Sequence, residues 1–215
     1  MKLVVAAAAM LLGASLIASS AKADGASLFK ERVTASDVVL LTDPSDVEGF
    51  GRLIRDRNGV TVELSTSGLD PALINTVWWI FFNAPQNCNS VAVPVEPITE
   101  GQRCTLGDLG NLDAEPGVVW ATVAPVSELG VARVVARLPV DDLTGNTPNP
   151  ALANPLTDPF AAEVFVDIRQ HLEPGADGID ILDQITTFEP ACPGCFTLQT
   201  SVFPGIDRRS RRFRR

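Results

Sequence analysis

Short runs of apolar residues, many of them alternating with polar ones, recur along this chain, and a period of two is typical of β-strands. Residues 51–67 hold two extended runs on either side of Asn58-Gly59. This dipeptide predicts a hairpin, because both central positions of a tight turn need a positive φ. Residues 76–82, TVWWIFF, form a continuous β-branched and aromatic run, which is typical of a buried strand.

Further runs along the chain complete the predicted set of strands. Residues 118–126 and 131–140 predict a second hairpin, with Arg133 and Arg137 on the face opposite its apolar residues. Between positions 162 and 169, apolar residues alternate with charged ones, which predicts a half-buried strand. Three more segments are assigned as follows: 36–41 and 196–203 as strands, and 179–187 as a strand or a short helical turn.

Seven or eight short strands without a sustained helical period predict an all-β fold, an antiparallel β-sandwich of immunoglobulin-like type. Residues 141–159 contain four prolines and several asparagines and predict a loop. No internal repeat is present. We therefore expect a single domain over residues 24–206.

The N-terminus has the pattern of a secretory signal peptide. Lys2 precedes an apolar run from Leu3 to Ala18, and Ala21-Lys22-Ala23 fits the recognition pattern of a signal peptidase. The run is shorter than the roughly 20 residues that span a bilayer. We predict a signal peptide over residues 1–23 and a secreted or periplasmic chain without a transmembrane segment. The alternative is an uncleaved membrane anchor.

Charge divides the rest of the chain into an acidic body and a basic tail. Residues 24–206 carry 9 basic and 25 acidic side chains, a balance of −16. A body of this charge repels phosphate backbones, which excludes nucleic-acid binding by the folded domain. Residues 207–215 contain six arginines. They predict a disordered tail that either contacts anionic surfaces or is solvated.

Four cysteines in an exported chain predict two disulfides. Of the three connectivities we favour Cys88–Cys104 and Cys192–Cys195, because each pair is close in sequence, and the alternatives stay open. Cys192 and Cys195 also form a C-x-x-C motif, which in a thioredoxin-like setting performs redox exchange. Here the motif precedes a predicted strand and contains Pro-Gly, which favours a structural disulfide.

The chain contains few groups for metal or acid–base chemistry. His171 is the only histidine, so multi-histidine metal sites are excluded, and a structural hydrogen bond at the end of a strand is favoured for it. Residues 175–183, GADGIDILD, nearly match one calcium-binding nonapeptide, which makes Asp177, Asp180 and Asp183 weak calcium candidates. Such sites need stacked copies, so an acidic turn is favoured. We predict no catalytic residue, resident metal or cofactor.

The pair Trp78-Trp79 is the most informative feature of the predicted strands. Neighbouring residues in a strand face opposite ways, so Trp79 can fill a core while Trp78 and Phe82 point to the other face. That face needs a cover or a ligand. Exposed aromatic side chains bind sugars or proteins, whereas the loop of prolines, the N-terminal segment or a partner could cover them instead.

Two segments resemble a family of uncharacterised exported bacterial β-sandwich proteins. A T-x-W-W strand with an Asn- and Cys-bearing turn lies in residues 64–89, and an E-V…R-x-H strand followed by a C-x-x-C segment lies in residues 162–203. The second strand is also similar to that of chordin-domain and copper–zinc superoxide dismutase-like sandwiches. There a histidine follows E-V, whereas this chain has Phe165. The matching residues are Thr76, Trp78, Trp79, Asn83, Cys88, Glu163, Val164, Arg169, His171, Thr187, Phe188, Cys192 and Cys195.

The resemblance implies an exported, superoxide dismutase-like or immunoglobulin-like sandwich and no established activity. Our preferred hypothesis is a secreted, non-catalytic β-sandwich with an interaction or structural role in the cell envelope or outside it, whose partner is unknown. The alternative is a carbohydrate-active or carbohydrate-binding protein that uses Trp78 and Trp79 with carboxylates, acting on a polysaccharide. The third hypothesis is a thiol–disulfide protein that uses Cys192 and Cys195.

Overall fold

In the part of the chain that the structure describes, the regular elements are eight strands, one short α-helix and four short 3₁₀ helices. The computed structural model describes residues 31–89, 99–145, 147–172, 181–186 and 195–206. The predicted signal peptide (1–23) and basic tail (207–215) lie outside these residues. The elements are β1 (Arg32–Leu40), β2 (Val47–Asp56), β3 (Gly59–Thr66), β4 (Asn75–Phe82), β5 (Pro116–Val123), β6 (Ala132–Pro139), β7 (Glu163–Gln170), α1 (Ile181–Thr186) and β8 (Phe196–Phe203).

All eight strands belong to one antiparallel sheet with the order β5-β4-β7-β8-β1-β2-β3-β6. The predicted all-β, antiparallel fold with a stapling disulfide, Cys88–Cys104, is confirmed. Side chains from every strand meet in one core, so the sheet curves around a shared interior. Members of this inner core include Val38, Leu53, Val62, Trp79, Val119, Val134, Val166 and Phe203.

The hairpin predicted at Asn58-Gly59 is formed by β2 and β3, but its two central residues are Arg57 and Asn58, one position earlier than predicted, and neither has a positive φ. Asp56 pairs with Gly59 at its end, and the carboxylate of Asp56 accepts a hydrogen bond of 2.7 Å from the backbone N–H of Asn58. Gly59 has a φ of +150°, and a Cβ atom there would lie 2.3 Å from the carbonyl oxygen of Leu138. Only glycine fits this turn beside β6.

The second predicted hairpin is wrong in its pairing, although both of its strands exist. β5 pairs with β4 and β6 pairs with β3, which makes β5 and β6 the two ends of the sheet. An isolated bridge pairs Val126, which lies beyond the end of β5, with Ala132 at the start of β6. Alternation along a strand predicts which residues face the core, and it does not predict the neighbouring strand.

A second apolar layer lies on the outer face of β4 and β7. There Trp78, Ile80, Phe82 and Phe165 pack under residues 84–89 and 99–115. Cys88–Cys104 closes this covering segment, whose members in the cluster are Cys88, Cys104, Leu106, Leu109 and Ala114. The segment covers Phe165 and Glu163 of β7, which is buried along its whole length, so the predicted half-buried strand is wrong.

Glu163 attaches the covering segment to β7. Its carboxylate accepts hydrogen bonds from the backbone N–H groups of Arg103 (3.0 Å and 3.1 Å) and Cys104 (2.8 Å). Burial raises the pKa of Glu163, and these backbone hydrogen bonds act in the opposite direction. Just beyond, the side chains of Thr105 and Asp108 form a capping box on a short 3₁₀ turn, which fixes the chain as it leaves β7.

Arg55 is a charged side chain buried at one end of the inner core. Its guanidinium donates to four backbone carbonyl oxygens at 2.6–3.0 Å, those of Pro159, Ala162, Phe203 and Pro204. Burial lowers the pKa of Arg55 to about 10, so the group stays charged at neutral pH. These bonds tie β2 to the start of β7 and the end of β8.

Removing the disulfide with Cys88→Ser and Cys104→Ser should lower the free energy of unfolding by about 2–4 kcal/mol, as expected for a loop of this length. Without the disulfide, the unfolded chain has more conformational entropy. The covering segment over Trp78 also loses the bond that closes it. Urea unfolding followed by tryptophan fluorescence measures the change. Arg52→Ala, which removes the exposed Arg52–Glu63 ion pair, should cost less than about 1 kcal/mol. Equal losses in the two proteins would contradict the role of the staple.

Arg55→Met should destabilise the protein by about 3–5 kcal/mol, because four buried carbonyl oxygens lose their donor. Arg57→Met is the matched control, since Arg57 is exposed on the same hairpin. Thermal melting by circular dichroism compares the two variants. If both melt within a degree or two of the wild type, Arg55 does not hold the sheet together.

Candidate functional site

Trp78 and Phe82 were the predicted binding residues, and both are completely buried. Phe82 contacts Phe165 edge to face, with ring centroids 5.8 Å apart. The covering segment fills the side on which a sugar would stack, so the hypothesis of an open aromatic face is wrong. The cover is mainly the disulfide-closed segment, with Leu152 of the proline-rich loop at its margin.

A chain of hydrogen bonds runs from Trp78 to a disulfide sulfur. Trp78 Nε1–H donates to Thr76 Oγ1 over 2.9 Å, and Thr76 Oγ1 lies 2.6 Å from His171 Nε2. The other imidazole nitrogen, Nδ1, lies 3.1 Å from the sulfur of Cys195. His171 directly follows β7, and its backbone N–H donates to Ile74 over 2.8 Å. The histidine therefore makes the strand-end hydrogen bonds expected of it.

The Thr76 hydroxyl accepts the indole N–H of Trp78 and keeps one proton and one further lone pair for its contact with His171 Nε2. A neutral imidazole has one N–H, and whether Nε2 or Nδ1 carries it decides which atom donates in the contacts with Thr76 and Cys195. Burial, with the nearby charge of Arg169, lowers the pKa of His171 to about 4, so the ring is neutral at pH 7.

A threonine hydroxyl in contact with a histidine has the form of a nucleophile and its base. Here Thr76 and His171 are at most 1% exposed, so a substrate cannot reach the hydroxyl. The far nitrogen of the ring faces sulfur, and no carboxylate orients it. This geometry therefore does not form a hydrolytic triad.

Asp167 is the second buried polar group on the outer face of β7. One carboxylate oxygen accepts a 2.6 Å hydrogen bond from Thr200, and the other has no hydrogen-bond partner within the described residues. Burial raises the pKa of Asp167 to about 7, while the Thr200 hydroxyl and Arg169 act to lower it. Arg169 also donates to the carbonyl oxygen of Cys195 at 3.3 Å.

The other predicted site residues lie at or beyond the borders of the described chain. Cys195 is disulfide-bonded, and Cys192 falls outside the described residues, as do Asp177 and Asp180. Asp183 lies in α1, and its side chain is not described. Where the structure describes side chains, no group of three or more His, Cys, Asp or Glu residues could hold a metal ion.

Two open hollows on the surface are lined by few side chains that could react with or bind a ligand. One of about 500 Å³ beside the disulfide is lined by Asn87, Asn89, Asn111, Leu112, Asp113 and Glu115. A second of about 590 Å³, at the turn between β5 and β6, is lined mainly by apolar side chains, including Leu129, which is 86% exposed. Neither lining contains a histidine or a cysteine.

Comparison with models of protein families, with curated proteins and with solved structures found no match. The class of this protein therefore follows from its own geometry: a single antiparallel sheet with a disulfide-closed covering segment. Among the described residues, no helix is both long and apolar enough to span a membrane. The disulfide is compatible with an extracellular or periplasmic location.

Sequence reasoning singled out Trp78 and His171, named Thr76 only as a residue of the family resemblance, and assigned no role to Asp167 or Thr200. All three of these polar residues are buried beside Trp78 and His171, together with Arg169. A signal was present, since Thr76 and Trp78 are two apart in one strand and must share a face. The partners of that face come from β7 and β8, which are distant in sequence.

Asp167 should make the protein less stable as the pH rises. From about pH 4 to about pH 7 the unfolded chain releases this proton and the folded chain keeps it, so the free energy of unfolding falls. At about 1.4 kcal/mol per pKa unit, the loss is up to about 4 kcal/mol. We expect Asp167→Asn, which stays neutral, to escape this loss.

Urea unfolding of the wild type and of Asp167→Asn at pH 4.5, 6 and 7.5 measures the effect. The difference between the two proteins isolates Asp167, because His171 is present in both. Asp37→Asn, which changes an exposed acid of β1, is the control and should show no such trend. A constant difference across the three pH values would mean that Asp167 is ionised throughout.

Proposed function

We propose that this protein is exported and has a non-catalytic structural or interaction role in the cell envelope or outside it. The observation that carries the proposal is that the unusual side chains of this chain lie inside the fold. Trp78, Phe82 and His171 are each at most 1% exposed, so the groups that suggested a binding or catalytic face serve packing and internal hydrogen bonding.

Export is supported by the first 23 residues and by the disulfide. The apolar run with its Ala-Lys-Ala site predicts cleavage before Asp24, and Cys88–Cys104 needs an oxidising compartment to persist. The acidic body suits a protein that stays dispersed at neutral pH. Membership of the exported bacterial family that the sequence resembles stays a prediction.

The carbohydrate hypothesis is the alternative, and the burial of both tryptophans argues against it. Trp79 lies in the inner core, and Trp78 lies under the covering segment. Sugar stacking on Trp78 would require that segment to leave β7, which breaks three backbone hydrogen bonds to Glu163 and uncovers Phe82 and Phe165. Of the three tryptophans, only Trp120 is partly exposed.

Fractionation of cells that express the full chain tests export. We expect the protein in the periplasm or the medium, with Asp24 as its first residue by N-terminal mass spectrometry. Ala23→Arg should block cleavage and leave the precursor with the membranes, whereas Ala26→Arg, outside the recognition pattern, should not. A full-length chain in the cytoplasm would refute the proposal.

Tryptophan fluorescence of Trp120→Phe tests the carbohydrate alternative, because the remaining emission comes from Trp78 and Trp79. We expect a blue-shifted emission that acrylamide quenches weakly and that soluble oligosaccharides leave unchanged. Incubation with the same polysaccharides should release no reducing ends. A saturable change in emission, or release of reducing ends that the boiled protein lacks, would replace the proposed role with a carbohydrate-directed one.

A further inference from the structure

The edge of β6 that faces away from β3 carries unpaired backbone groups. β6 ends the sheet, with β3 as its neighbour. Just beyond its last residue, Val140 N–H donates to Asn58 on the side of β3, whereas before its first residue the carbonyl oxygen of Val131 accepts from Ser127 on the other side. Because these groups alternate along a strand, the odd-numbered residues of β6 direct their N–H and C=O groups away from β3. Pro139, which has no N–H to pair, is one of them.

This edge is open at Val135 and Arg137. Within the described chain, no backbone group bonds to their outward N–H and C=O groups, and Val135 is 73% exposed. A hollow of about 190 Å³ lies between the end of this edge and β5, and its lining includes Arg137, Leu138, Trp120 and Ala121. An unpaired and accessible edge of this kind is a template for a further strand.

The outer face beside this edge leaves one arginine without an ion pair. Asp56 and Glu63, the acids on the neighbouring strands, each bind another arginine. Arg133 is exposed and forms no ion pair with any described residue. Since it is two positions from Val135, both side chains lie on the same face. A strand added at this edge places a side chain opposite Arg133, and an acidic side chain is favoured there.

A second copy of this chain fits the edge less well than an acidic segment does. Arg133 and Arg137 flank Val135 on the exposed face. If two antiparallel β6 strands pair around position 134, 135 or 136, arginines of the two copies lie opposite or diagonal to each other, where like charges repel. The acidic body, with its balance of −16, adds repulsion between whole copies. A partner segment with only one or two acids meets much less of this repulsion.

We propose that the open edge of β6 binds an extended segment of a partner protein as an additional strand, with an acidic side chain opposite Arg133. The backbone of this segment pairs with the N–H and C=O groups of Val135 and Arg137. An apolar residue lies opposite Val135, and the residues on either side of it point inward, where Leu138 and Trp79 line the hollow. This inference names the kind of partner for the interaction role, and in that respect it rests on the proposed function.

Fluorescence anisotropy of a labelled peptide tests the proposal on the purified mature protein. The probe holds Glu-Val-Ile-Val-Glu between Gly-Ser flanks, so that a glutamate meets Arg133 in either strand direction. The matched peptide has lysine in place of both glutamates. We expect saturable binding of the glutamate peptide, about fivefold tighter than that of the lysine peptide at low salt. Equal affinities, or no saturable binding of the glutamate peptide, would overturn the proposal.

Reversing the charge at Arg133 should reverse the preference between the peptides. We expect Arg133→Glu to weaken binding of the glutamate peptide about threefold and to strengthen binding of the lysine peptide by a similar factor. Arg32→Glu makes the same change of net charge on β1, which β2 and β3 separate from β6, and should leave both affinities nearly unchanged. Equal effects of the two variants would show that the peptides respond to net charge and not to this edge.

Val135→Pro tests the backbone pairing, because it removes an N–H that faces away from β3. We expect it to weaken binding of the glutamate peptide at least about tenfold. Val135→Thr keeps the N–H and the β-branched shape and should bind as the wild type does. Melting by circular dichroism establishes that both variants fold, and if Val135→Pro does not, the charge reversal at Arg133 decides. Unchanged binding by folded Val135→Pro contradicts strand addition.

Sedimentation equilibrium of the mature protein without peptide tests a second copy as the occupant. We expect a monomer, and a dimer that Val135→Pro dissociates would assign the edge to self-association instead. All these measurements use purified protein, so a failure of export in cells leaves them unaffected. Absence of peptide binding, in turn, leaves the fractionation result unchanged, so the two proposals fail separately.

Discussion

The burial of β4 and β7 on both faces is the constraint on which the rest of this structure depends. An antiparallel sheet commonly leaves one face in water, and β1, β2, β3 and β6 do so with a mixed face that includes the Arg52–Glu63 and Arg137–Asp56 ion pairs. The middle of the other half is closed by the segment that Cys88–Cys104 holds. This explains why every residue from Val77 to Phe82 is apolar or aromatic.

The second layer also explains the buried polar residues. β7 carries Glu163, Asp167 and Arg169 on a face that would be solvated in an ordinary half-buried strand. Once covered, each needs a partner, because an unpaired buried charge is costly. Glu163 binds the backbone of the covering segment, Asp167 binds Thr200, and Arg169 binds the carbonyl oxygen of Cys195. Directly after β7, His171 lies between the hydroxyl of Thr76 and the sulfur of Cys195.

Local patterns predicted the strands well and their surroundings poorly. The hairpin between β2 and β3 and the buried strand at residues 76–82 were right, because both depend on residues adjacent in sequence, although the turn lies on Arg57-Asn58, one position before the predicted pair. The alternation at residues 162–169 is real, yet the half-buried prediction failed, since alternation describes the two faces and not what lies above them. Likewise, β5 and β6 were recognised as strands, but their partners come from distant parts of the chain.

The sequence by itself determined the all-β class, the positions of most strands and the absence of multi-histidine chemistry, and it favoured the staple between Cys88 and Cys104 among three connectivities. These properties depend on residue type and on short spacings. Only the tertiary structure decided that Trp78 is covered, that Arg55 binds four carbonyl oxygens and that His171 faces Cys195. Each of these contacts joins residues separated by 24 or more positions or depends on a cover that folds back from another part of the chain, and no local period encodes such a meeting.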